Sequence, residues 1–185
     1  HGLSCAPPAS RTKTMRILKG KHAGRSLTSP GGRVRPTPED ARNWCVSLVE
    51  KDFEGGAVLD LFAGSGALGL EALSRGARSV DFVENGAAAL HSLKANVAAL
   101  REKDRCRIFK RDAIPWMEDL QAGAYAVCFA DPPYGSRKLD RVLERWREVP
   151  FADVLVVEHA KDHPVQGGWK RYDFPGPTRV TILRA

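Results

Sequence analysis

Cysteine is scarce in this chain, and none of it is paired. Cys5, Cys45, Cys106 and Cys128 are scattered without a C-x-x-C motif. That argues against structural zinc and a disulfide framework, and makes a reducing cytoplasm the expected compartment. Cys106 and Cys128 lie in apolar runs and read as small buried hydrophobes. No stretch approaches the roughly 18 apolar residues of a membrane span, and no apolar leader of the secretory kind is seen, so no membrane partner is expected. Repeats and low-complexity tracts are missing, as are a Ser-His-Asp set and any metal-ligand spacing; no metal is expected. Negative charge is thin in the first quarter, where only Glu39 and Asp40 oppose a run of basic residues from Arg11 to Arg42.

What remains is enough for one soluble domain. The 185 residues are 43% hydrophobic and 28% charged, a globular composition able to bury a core. A monomer is expected. The formal charge of +7 points to an acidic partner, and its crowding before the main domain suggests a phosphate-contacting arm. Arg16, Lys19, Lys21, Arg25 and Arg35 are the candidate RNA-binding residues, with His22 as a further group near phosphate.

Residues 1–14 read as a disordered leader, with His1 a tag remnant and Met15 the natural start. Residues 15–36 form a basic β-hairpin extension, with strands at 15–19 and 24–28 around the turn at 20–23. The domain follows at 37–185. Thr37, Pro38, Glu39 and Asp40 are good first-turn residues for a helix whose apolar face carries Trp44, Cys45, Leu48 and Val49. Strands are expected at 58–62, 80–84, 105–110, 125–130, 154–158, 169–174 and 179–184, with helices at 67–75, around Leu90 to Leu100 and around Leu139 to Trp146. The 105–110 segment alternates like a sheet edge. The last two strands make a closing hairpin. Seven strands alternating with helices predict an α/β fold: a doubly wound, mostly parallel sheet.

Ligands of such sheets bind beyond the carboxyl ends of the strands. Asp60 closes the first main strand, followed by Phe62 and a turn in which Gly64 and Gly66 let the backbone approach a ligand. Glu84 closes the next strand, where a carboxylate can accept from a ribose diol. Asp112, after the third, can accept from an adenine amine or cap a helix. The turn satisfies G-x-G-x-x-G, but an acid beneath it would repel a pyrophosphate and suits the ammonium of a methionine moiety. S-adenosylmethionine, with cationic groups and no phosphate, is therefore the expected cofactor, and S-adenosylhomocysteine the product. Asp131-Pro132-Pro133-Tyr134 then supplies the chemistry. An exocyclic base amine is a weak nucleophile because its lone pair is spread into the ring. Asp131 and the Pro132 carbonyl can accept its N–H bonds and localise that pair, the prolines stiffen the loop, and Tyr134 can stack on an unpaired base. His91 reads as a surface helix residue and His159 as a candidate lining group of the cleft.

These residues resemble the bacterial 16S ribosomal RNA guanine-N2 methyltransferases of the RsmD type. The likeness runs from Met15 to Ala185 through Met15-Arg-Ile-Leu-Lys-Gly20, Gly24-Arg25, Arg35-Pro36-Thr37, the block at 59–77, Phe82-Val83-Glu84 and Asp131-Pro132-Pro133-Tyr134. It implies a Rossmann-like class I methyltransferase fold. Cofactor contacts are implied at Asp60, Phe62, Gly64, Gly66, Glu84 and Asp112, and catalysis at Asp131 to Tyr134. It also implies an RNA-touching hairpin and ribosomal RNA of assembling small subunits as partner. The chain departs from the family at 38–47, in the helix that covers the cofactor mouth there, although Arg42 is kept; the tail around Gly176-Pro177-Thr178 follows loosely. Three rivals remain: a DNA adenine or cytosine amino methyltransferase, an RNA-binding homologue without catalysis, and a dehydrogenase. The first lacks an insertion for target recognition, intact acids oppose the second, and Asp60 opposes the third.

Overall fold

The computed structural model describes residues 15–30 and 39–185. The leader, Arg35 and the Thr37 cap lie outside the described residues.

Two short strands, β1 (Met15–Arg16) and β2 (Ser26–Leu27), pair antiparallel. Each is shorter than expected because other acceptors take the amides beyond it. Leu18 and Lys19 donate to the Glu71 carboxylate at 3.0–3.2 Å, and Thr28 donates to Asn96 Oδ1 at 2.7 Å. The hairpin is thereby fastened to the domain. Met15, Ile17 and Leu27 are buried against the same core as the helices that follow.

The main domain runs α1 (Glu39–Phe53), β3 (Ala57–Leu61), α2 (Ala67–Ser74), β4 (Ser79–Glu84), α3 (Ala87–Ala99), β5 (Cys106–Lys110), α4 (Ala113–Met117), β6 (Tyr125–Ala130), α5 (Lys138–Glu148), β7 (Ala152–Ala160), β8 (Lys170–Asp173) and β9 (Thr178–Arg184). The seven strands are ordered β5-β4-β3-β6-β7-β9-β8, parallel from β5 through β7, with β9 antiparallel to both β7 and β8. The α/β, mostly parallel seven-stranded expectation therefore holds. The edge position of β5 agrees with its alternating pattern. Cys128 is fully buried as expected, but Cys106, on that edge, is only half-buried.

Helices cover both faces, which explains the unbroken apolar runs of the central strands. Val58, Phe82, Val127 and Phe129 pack beneath α1, α2 and α3; Leu59, Leu61, Val83 and Leu155 pack beneath α4 and α5. α5 shows the 3.6-residue logic directly, burying Leu139, Val142, Leu143 and Trp146, whose indole N–H donates to the Ala152 carbonyl at 2.8 Å. The order of strands reverses between β3 and β6, so a crevice opens at their carboxyl ends.

Candidate active site

The chain leaves β3 through a left-handed residue, Phe62 at φ 65°, before Gly64 at φ 58° and Gly66 at φ 83°. Such a conformation at a phenylalanine costs on the order of 1–3 kcal/mol and persists only where surrounding contacts enforce it. Here Ala63 donates to Val83 and Gly66 to Ala63, at 3.0 and 2.9 Å. Gly66 leads straight into α2, and a Cβ on it would collide with Leu93. A Cβ on Gly69 would lie 2.6 Å from the Phe82 ring and 3.0 Å from Asp60 Oδ2, so its absence lets α2 sit on β4. Gly64 differs: nothing lies within 4 Å of its Cβ position, which leaves an open approach to the turn.

Three acids mark the carboxyl ends of adjacent strands. Asp60, next to last in β3, points beneath the turn, is 3% exposed and accepts from the Gly69 amide at 3.0 Å. Glu84 holds the turn from β4, accepting from Gly64 at 2.9 Å and from Asn85 and Gly86 at 2.9 and 2.8 Å. A carboxylate has about four acceptor sites, so a ribose diol there must share or displace one of those amides. Asp112 caps α4 by accepting from Ile114 at 3.2 Å, and is exposed beyond β5. This set offers negative charge around an open glycine turn, which fits a cationic, phosphate-free nucleoside and disfavours a pyrophosphate.

Burial pushes the Asp60 carboxyl up to about 8; the Gly69 amide opposes the shift and Glu84 adds to it. The folded protein therefore keeps a proton between about pH 4 and 8 that the unfolded chain releases, and stability must fall as pH rises through that window. Thermal unfolding of the cofactor-free protein between pH 5 and 8.5 should show this decline. Asp60→Asn should flatten it by up to about 1.4 kcal/mol per pH unit, the limit for one proton; an unchanged slope would remove Asp60 as its source.

Asp131 follows β6. Because Ala130 pairs with Leu61 on one side and Val157 on the other, Asp131 lies level with Phe62 and with Glu158. Its carboxyl is held well above the usual range, first by burial, then by Glu158 and Asp60. Cys45 of α1 is buried near the same acids: burial raises its thiol, with Glu158 and Asp131 contributing. Pro132 is buried, while Pro133 and Tyr134 are exposed. Ser136 donates to the Pro133 carbonyl at 2.7 Å, and the Tyr134 hydroxyl meets Thr178 Oγ1 at 2.8 Å, fixing the far end of the ring. Lys138 stands 6.0 Å from the centroid of Phe62.

The structure thus gathers Asp60, Phe62, Gly64, Gly66, Glu84 and Asp131 to Tyr134 at one end of the sheet, with Asp112 beyond β5. The basic residues are spread more widely. Arg16, Lys19, Lys21 and Arg25 are exposed. Arg16 lies 3.8 Å from Glu39, but Lys21 reaches Glu102 at 3.2 Å and Arg25 the Ala99 carbonyl at 2.8 Å. Those partners lie at the end of α3 and in the connection from it into β5, at the strand amino ends and away from the carboxyl ends. The reading of His22 as a phosphate neighbour is corrected: it is 7% exposed and bonded to Glu102 at 2.7 Å, anchoring the hairpin. Arg42 is fully buried against Glu71 and the Arg16 carbonyl. His91 is exposed, and His159 lines hollows beside the cleft.

Sequence reasoning missed Glu158, Thr178 and Asn96. The 2%-exposed Asn96 amide donates to both Ser65 and Thr28 carbonyls at 2.9 Å, joining the glycine turn to the hairpin exit. Only a pairing of β7 with β6 and β9 would have revealed the first two; Asn96 carried no signal beyond a polar residue on an apolar helix.

Comparison with known proteins accords with this geometry. The family model described as conserved hypothetical protein 95 matches residues 15–172. Ribosomal RNA small subunit methyltransferase D of Escherichia coli strain K12 is 33% identical over 141 residues, covering 74% of this chain and 69% of that protein. The protein of the same name from Haemophilus influenzae is 30% identical over 165 residues, covering 82% and 81%. A solved hypothetical protein of Thermus thermophilus superposes with a TM-score of 0.78 at 28% identity, over 92% of this chain and 99% of that one.

Proposed function

We propose, since the chain belongs to the RsmD-type rRNA methyltransferase family, that it transfers a methyl group from S-adenosylmethionine to the exocyclic N2 amine of a guanine in small-subunit ribosomal RNA. The observation that carries this reading is Asp131, level with Glu158 and next to the glycine turn, on a loop whose tyrosine is tied to Thr178.

The residues fit the cofactor. Glu84 and Asp112 would face its ribose and adenine, the open side of Gly64 would admit it, and its positive charge would draw the proton off the Asp60 carboxyl beneath the turn. When bound, it would supply an electrophilic methyl group on a sulfonium, whose sulfur would keep the electrons of the broken S–C bond and leave as the thioether S-adenosylhomocysteine. The protein's part is to make the amine nucleophilic. Tyr134 stacks on a base that has left its helix. Asp131 and the Pro132 carbonyl accept its two N–H bonds, aiming the nitrogen lone pair away from the ring. As the new N–C bond forms, positive charge grows on that nitrogen and Asp131 stabilises it; the surplus proton passes to the same carboxylate. A carboxyl with raised proton affinity is the better base for that step.

The test is transfer of a labelled methyl group to unmethylated small ribosomal subunits, naked 16S RNA and DNA. Label is expected in the subunits or their RNA, at guanine N2. Label confined to DNA, or mapped to another base, would overturn the substrate assignment.

A further inference from the structure

On the outer end of the sheet, β7, β9 and β8 present polar side chains on the face that α5 covers farther in. His159 pairs with Arg179, Arg179 with Asp173, and Arg171 with Thr181. The loop from β7 to β8 runs beside them and leaves a half-open cavity of about 390 Å³, lined by Arg171, Arg179, His159, Thr181 and residues 164–167. Its two arginines are positioned from within. Arg171 donates to the Val165 carbonyl at 3.2 Å, and its guanidinium lies across Gly168, whose Cβ position is 3.5 Å from Nη2. Arg179 is held by Asp173 through Nε and Nη2. Both line the cavity, and a guanidinium has five N–H donors, more than these bonds engage.

We infer that this cavity binds one phosphodiester of the RNA strand next to the target nucleotide. Two arginines less one aspartate leave a single positive charge, which matches the single negative charge of a phosphodiester, and the guanidinium fork matches its paired oxygens. The position suits a neighbouring nucleotide. His159 is a shared wall: it also lines the hollow formed by Pro132, Pro133, Tyr134 and Glu158. Thr178, which holds the Tyr134 hydroxyl, immediately precedes Arg179. A base under Tyr134 and a phosphate between Arg171 and Arg179 would thus both be held at the paired edge of β8 and β9, where Thr178 adjoins Arg179. The identity of the strand rests on the RNA reading above; the anion site rests on the cavity.

The test is the salt dependence of binding of a fluorescent single-stranded RNA twelve nucleotides long to the full chain, with Arg171→Gln, Arg179→Gln and Asp173→Asn. Each arginine variant should weaken binding roughly tenfold and lower the slope of log affinity against log salt by about 0.7, the value for one single-strand phosphate contact. Asp173→Asn, which frees Arg179, should tighten binding. S-adenosylmethionine affinity should stay unchanged in all three, which excludes a folding defect. Affinity and slope unaltered in every variant would overturn the inference. So would binding of inorganic phosphate that the arginine variants lose while their RNA binding stays unchanged, which would make it a free-phosphate site. Parallel methyl-transfer assays on the wild-type protein separate the two readings: shifted slopes with no label in ribosomal RNA would sink the proposed reaction and leave the anion site standing.

Discussion

Asp131→Ala should abolish measurable methyl transfer, a loss of at least about 10²–10⁴-fold, while S-adenosylmethionine affinity changes by less than about tenfold. The magnitude follows from the two tasks this carboxylate is given: accepting an N–H bond that strengthens as charge develops on the amine, and taking the proton afterwards. Both belong to the transition state, so the rate constant should fall while ground-state binding survives. The substitution should not destabilise the cofactor-free protein near neutral pH. Asp131 is held against burial and against Glu158 and Asp60, so its removal relieves an unfavourable arrangement. Single-turnover kinetics, calorimetric cofactor titration and thermal unfolding measure the three quantities. A large loss of cofactor affinity with only a modest loss of rate would transfer Asp131 from the reaction to the binding of cofactor.

Local signals served well where one segment carries its own reason. An apolar strand, an acid and two glycines defined the β3 turn, and Leu139, Val142, Leu143 and Trp146 defined the buried face of α5. The site residues on those segments needed no knowledge of the sheet. Residues defined by pairing were invisible. Glu158 and Thr178 matter because β6 lies between β3 and β7, and because β9 returns antiparallel beside β7. Neither order is written in the pattern of any one strand. The hairpin misled for a related reason. Its expected strands were five residues each where two are paired, since the Glu71 carboxylate captures the amides after β1 and the Asn96 side chain the amide after β2. His22 looked like one more member of a basic surface until the turn of the hairpin set it against Glu102. α2 is apolar but for one glutamate and a final serine, and among the described residues that glutamate accepts more hydrogen bonds than any other acid.

That acid is Glu71, and its replacement by alanine should cost about 3–5 kcal/mol. Its side chain is fully buried among two buried guanidiniums. Arg75 donates to it at 2.7–2.9 Å and Arg42 Nε approaches to 3.7 Å. Removing one member of such a cluster leaves uncompensated buried positive charge, which is far more damaging than losing an exposed pair. Arg75 has partial relief from Asn43, Ser47 and the more distant Glu50; Arg42 depends on the Arg16 carbonyl. Leu18 and Lys19 would lose their acceptor in the same step, so the hairpin should loosen ahead of the domain. Denaturant unfolding gives the global cost, and amide exchange at residues 18 and 19 gives the local one. Glu71→Ala combined with Arg42→Met should be less destabilised than the two separate losses added together, because the second change removes the charge that the first strands. Simple additivity would mean that Glu71 and Arg42 are uncoupled. The hairpin would then be held by the Leu18 and Lys19 amides on Glu71 and by its apolar contacts at Ile17 and Leu27, with no part played by the Arg42–Glu71 pair.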